Sequence, residues 1–185
     1  MTDDSEILGL LFRHDEAGIS RLSEKYGGLL SSVASNILRN EADTDECVND
    51  VYMKIWNLIP PYRPAYLRSF VCRLARGAAI DKYRYNKREK RSGEGNILFS
   101  ELEENEIPAD GSAGQAGEAL ESEINRFLEK QTVRDRVIFT RRYFMAESTA
   151  DIAKRFDMSE NSVSVRLFRI RDKLKKYLKE RGYEI

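Results

Sequence analysis

The chain has 185 residues, 41% of them hydrophobic and 34% charged, and 31 basic side chains balance 31 acidic ones. No apolar run approaches the roughly 20 residues of a membrane span, and the opening MTDDSEIL is too acidic for a secretory leader, so no direct membrane insertion is expected. Cys47 and Cys72 stand apart with a single histidine, His14, so no disulfide framework or metal site is expected, and a cytoplasmic location is.

The zero net charge is a sum of blocks. Lys82 to Arg91 holds six basic residues and one acid, Ser92 to Glu123 holds nine acids and no Lys or Arg, and Lys154 to Arg181 is basic again. Contact with a polyanion is governed by such local fields rather than by the total.

Residues 5 to 39 show helical spacing of apolar residues, from Ile7, Leu8 and Leu11 through Ile19, Leu22, Tyr26, Leu29, Leu30, Val33 and Ile37. Gly18, Gly27 and Gly28 weaken that helix locally, by roughly 1 kcal/mol for each glycine in an interior. His14 falls near a junction and reads as a surface or capping residue rather than a catalytic one. Residues 43 to 59 predict a stronger helix, with Asp43 as cap, Glu46 three residues on, and Val48, Val51, Tyr52, Ile55, Trp56 and Ile59 as its apolar face. Glu46, Asn49, Asp50 and Met53 share another side, which makes a small acidic patch. That patch has three readings: complement to the helix dipole, a weak metal site, or a dock for a basic partner.

Pro60, Pro61 and Pro64 force a loop, and a helix follows from Leu67 to about Tyr85. Leu67, Phe70, Val71, Leu74, Ala78, Ile80 and Tyr83 supply its buried side, and Arg68, Arg73, Arg76, Lys82 and Arg84 decorate the rest. Basic residues interleaved with rings suit an unpaired nucleic-acid strand, charge for the backbone and rings for the bases. The alternative is aromatics in a core and arginines in solvent. Residues 92 to 119, rich in Gly, Ser, Ala and acids, read as a flexible linker with an apolar island at Ile97, Leu98 and Phe99. Helical periodicity resumes from Leu120 to Met145. The chain then presents a short helix over Ser148 to Phe156, a break at Asp157 to Ser159 with Ser159 as cap, and a second helix. Val163, Leu167, Ile170, Leu174 and Leu178 form the apolar stripe of that second helix, and Ser162, Ser164, Arg166, Arg169 and Arg171 lie off it. This pattern fits a helix-turn-helix that lays its second helix in a DNA major groove, or an ordinary helical hairpin with a solvated basic face. With one histidine and no clustered nucleophile, no catalytic residue is expected.

Three segments, DECVNDVYMKIW (45 to 56), SFVCRLARGAAIDKYR (69 to 84) and the helix-turn-helix stretch 133 to 174, together resemble the extracytoplasmic-function sigma factors of bacterial RNA polymerase. The resemblance implies an all-α chain of two small domains. A region-2-like domain would span 1 to 91, a flexible acidic linker 92 to 119, and a region-4-like helix-turn-helix domain 120 to 185. It further implies docking on core polymerase through Glu46, Asn49 and Asp50. Recognition and melting of the −10 element would fall to Tyr62, Arg63, Phe70, Arg73, Arg76, Gly77, Asp81 and Arg84, with Phe70 in place of the family's Trp and Gly77 in place of its Asn. The −35 element would be read by Ser162, Ser164, Arg166, Phe168 and Arg169. The linker would enter the nucleic-acid channel of the polymerase. The implied partners are core polymerase, promoter DNA and an anti-sigma factor, with no cofactor. A stand-alone helix-turn-helix regulator is the alternative, and it leaves the acidic patch and the basic aromatic helix without a role.

Overall fold

A computed structural model of the chain describes residues 3–89 and 115–183, and these are helical with no strand among them. The chain divides into two compact units, Met1–Ser112 and Ala113–Ile185.

The first unit contains α1 (Asp4–Phe12), α2 (Ala17–Leu38), α3 (Glu41–Leu58) and α4 (Leu67–Glu89). Helix α2 is its centre and packs against the other three. Its Leu22, Tyr26, Leu30, Val33, Ala34 and Ile37 are buried, as are Cys47, Val48, Val51 and Ile55 of α3 and Leu67, Phe70, Val71, Leu74, Ala75, Ala78 and Ala79 of α4. Removing this apolar surface from water is the main term that holds the unit together.

The structure revises the predicted boundaries in several places. The helical stretch expected over 5 to 39 divides into α1 and α2 at the junction expected near His14, which takes a left-handed φ of 50°, while Asp15 accepts from the Ala17 amide at 3.0 Å. Helix α3 begins two residues before Asp43, and its cap is Asn40, whose side chain accepts from the Asp43 amide at 3.0 Å. Gly18 is a packing residue rather than a weak point. A Cβ there would lie 2.9 Å from the Leu11 backbone nitrogen, so the glycine lets α1 and α2 approach closely.

The second unit contains α5 (Gln115–Glu129), α6 (Val133–Tyr143), α7 (Thr149–Phe156) and α8 (Glu160–Lys179), with α8 packed on the other three. The segment expected as a linker over 92 to 119 lies outside the described residues as far as 114, together with Ile97, Leu98 and Phe99. Its last residues belong to α5, which starts at Gln115. The periodic run 120 to 145 comprises two helices, and Thr132 caps the second, α6, by accepting from the Asp135 amide at 3.2 Å. Two apolar clusters join the unit. Ile138, Ile152, Ala153, Val163 and Leu167 form one, and Phe127, Leu128, Phe139 and Ile170 form the other.

Candidate functional site

On α3 the three residues of the acidic patch, Glu46, Asn49 and Asp50, are exposed, and Met53 beside them is 60% exposed. The opposite side of the same helix is core, so the patch is held rigidly outward. Helix α4 reaches it at two points. Lys82 pairs with Glu46 at 2.7 Å, and the Asn86 amide donates to Asp43 at 3.0 Å. The hydrogen bond to Glu46, against the opposing effect of burial and with help from the charges of Glu46, Asp43 and Asp50, holds the Lys82 ammonium above the usual lysine range. Cys47 and Cys72 are buried free thiols, each pushed up to about 11 chiefly by burial, and so are poor nucleophiles.

Spacings of 3, 4, 4 and 3 set Phe70, Arg73, Gly77, Asp81 and Arg84 along one side of α4. The structure treats them unequally. Phe70 is fully enclosed and Gly77 is buried, whereas Arg73, Arg76 and Arg84 are half-buried and Asp81 is exposed. Phe70 therefore offers no face to a base. Its ring is the platform on which the half-buried Tyr62 ring rests at 5.3 Å and the Arg73 guanidinium at 5.8 Å. The proline loop and α4 are thereby brought together. Arg63 is exposed and stacks over Phe12 at 5.5 Å, and Trp56 packs edge-on against His14 at 5.0 Å.

In the second unit, α7 and α8 form the hairpin anticipated from the spacing. Ser148 caps α7 by accepting from the Asp151 amide at 3.0 Å, and Ser159 caps α8 by accepting from the Ser162 amide at 3.2 Å. Asp157 turns the chain with a φ of 51°, and the Thr149 hydroxyl donates to Glu160 at 2.5 Å across the turn. Glu147, at the entrance, is buried. It pairs with Arg141, lies 3.7 Å from Arg155, and its carbonyl accepts from Arg142 at 3.0 Å.

The outer surface of α8 carries Ser162, Ser164, Phe168 and Arg169, all exposed. Arg166 differs. It is half-buried and pairs at 2.6 Å with Asp135 of α6. Burial pushes the Asp135 carboxyl up, but hydrogen bonds from Arg166 and Thr132 outweigh it and hold the group below the usual range. Arg166 thus joins the hairpin to α6, while Arg169 points outward. Val165, 41% exposed, lies among these residues and off the stripe of Val163, Leu167, Ile170, Leu174 and Leu178; the sequence reading left it unassigned because only polar and basic residues were sought there.

Residues 22–89 match the family model of Sigma-70 region 2, and residues 122–174 match that of Sigma-70, region 4. Together they take in more than half of the chain, which belongs to the sigma-70 family and has the two-region plan of the extracytoplasmic-function type. No curated protein matches the chain. Among solved structures, that of CnrH in complex with the cytosolic domain of CnrY is 18% identical, over 94% of this chain and 96% of that one, with a TM-score of 0.44. By its region 2 and region 4 matches the chain is a sigma factor. It is a non-enzymatic subunit that binds RNA polymerase and directs initiation at promoters, and the stand-alone regulator is set aside by the region 2 match.

Proposed function

We propose that the two units divide promoter capture between them, with 1 to 91 as the docking and −10 domain, 92 to 119 as the connection and 120 to 185 as the −35 domain. Glu46, Asn49 and Asp50 dock a basic surface of core polymerase. Tyr62, Arg63, Arg73, Arg76, Asp81 and Arg84 engage the −10 strand, while Phe70 and Gly77 act from beneath by shaping that surface. Ser162, Ser164, Phe168 and Arg169 face the −35 duplex, and Arg166 positions them through Asp135. The observation that carries this reading is the pairing of an outward acidic face on α3 with a capped helix-turn-helix whose outer face is polar and basic. Chemistry stays in the polymerase, and this subunit contributes binding energy. Extruding a base from the stack costs a few kcal/mol, which contacts around Tyr62 would offset. An inhibitory anti-sigma partner in the cytoplasm would act by covering the α3 face or the outer face of α8.

Reconstitution with core polymerase on a promoter library, with mapping of transcript 5′ ends, tests the assignment. Starts at a fixed distance from a shared pair of elements are expected. Glu46→Gln with Asp50→Asn should weaken association with core while leaving the helical fold intact. Unaltered core binding by that double variant would remove α3 from the docking role.

A further inference from the structure

Val165 follows Val163 by two residues and precedes Leu167 by two, which places it about 160° around the helix from both core residues. It therefore stands at the pole of α8 opposite the buried stripe. Asn161, Ser162, Phe168 and Arg169, at i−4, i−3, i+3 and i+4, surround it on the same face. Two large apolar side chains sit at the centre of this otherwise polar surface, Val165 at 41% exposure and Phe168 at 63%. One turn beyond Arg169 the same face carries Asp172, 49% exposed at its side chain and paired with Lys176 at 2.9 Å. With that carboxylate already paired, the apolar surface of this face lies on the first turns of α8, where Val165 stands. In the major groove the only apolar group on a base-pair edge is the thymine 5-methyl.

We propose that Val165, backed by Phe168, is a specificity residue that reads a thymine 5-methyl in the −35 duplex. This deepens the −35 assignment above and rests on it. Arg169 supplies charge and a donor at the edge of the same face, and Val165 supplies the apolar contact that selects one orientation of an A·T pair.

The test uses reconstituted holoenzyme and a duplex library randomised over the −35 positions, synthesised with either thymine or uracil at those positions, which differ by the methyl group alone. The wild type should enrich an A·T pair in one orientation in the thymine library, and lose that preference by roughly four-fold in the uracil library, the partition of one buried methyl group. Val165→Ala, which shortens the apolar side chain, should show a smaller difference between the two libraries than the wild type while keeping its −10 preference and its thermal stability. Equal wild-type selection from the two libraries would overturn the proposal, as would a thymine–uracil difference that is undiminished in Val165→Ala. If the wild type enriched no −35 sequence at all, the −35 assignment itself would fall along with the proposal, an outcome distinct from enrichment indifferent to the methyl.

Discussion

Phe70→Ala distinguishes a ring that supports the −10 surface from one that touches a base. A fully enclosed phenylalanine truncated to alanine costs about 3–5 kcal/mol of stability, from lost transfer energy and the cavity left behind. Urea unfolding of the full chain should show a loss in that range, and a loss below about 1 kcal/mol would mean the ring is not core. The sequence aligned Phe70 with a DNA-working position, but face position alone does not say whether a loop closes over the side chain. Tyr62 does so here. Arg166 and Arg169 of α8 make a second residue-scale contrast. Arg169→Ala should cost roughly 1–3 kcal/mol and alter base preference if it forms a bidentate guanine contact. Arg166→Ala removes the tie to Asp135 and should weaken binding to all −35 sequences alike. Competition binding of holoenzyme against single-base −35 variants separates these outcomes, and a change of preference in Arg166→Ala would return that residue to direct readout.

At the scale of elements, two glycines of α2 should respond oppositely to the same substitution. Gly28→Ala meets nothing within 4 Å, so only helix propensity acts and the chain should gain up to about 1 kcal/mol. Gly18→Ala gains the same propensity but drives a methyl to 2.9 Å from the Leu11 backbone nitrogen. Backbone cannot rotate aside, and overpacking of this kind costs on the order of 1–3 kcal/mol, so the net effect is a loss. Thermal unfolding of the two variants reads both signs, and stabilisation by Gly18→Ala would contradict the close α1–α2 approach. Propensity made these glycines look equivalent in the sequence, because the difference between them is tertiary. Periodicity was sufficient for the bodies of α2, α3, α4 and α8, whose buried residues recur every three or four positions. It was insufficient at helix ends. Asn40 and Asp43 are both good caps, and only the backbone geometry at Asn40 selects between them. The start of α5 reads as linker from its Ala, Gly and Glu content, yet it is drawn into helix ahead of Phe127 and Leu128, which join Ile170 in the core.

For the molecule as a whole, the neutral sum of 31 cations and 31 anions conceals an uneven response to acid. Both ends of α8 are held by carboxylates on neighbouring helices. Asp135 takes Arg166 near its start, while Glu123 of α5 accepts from the Tyr177 hydroxyl at 3.0 Å and pairs with Arg181 at 3.0 Å just past its end. The Tyr177 hydrogen bond, opposed by burial and aided by Arg126 and Arg181, holds the Glu123 carboxyl below the usual range, as Arg166 and Thr132 do for Asp135 against burial. A carboxyl depressed in the folded state binds its proton more readily when unfolded. Its contribution is therefore complete above the ordinary carboxylate range of about 4 and is lost as the pH falls through the lower, folded value. All acids share in general acid unfolding, so the informative quantity is the difference between variants. Glu123→Gln and Asp135→Asn should each be less stable than wild type at neutral pH, start to converge on it as the pH falls below about 4, and meet it only once the pH has passed through the lower, folded values at which the wild-type carboxylates are neutralised. Thermal unfolding of the full chain measured across that range would show the convergence. Curves that stay parallel to wild type would mean that these two carboxylates are not what anchors the recognition helix at its two ends.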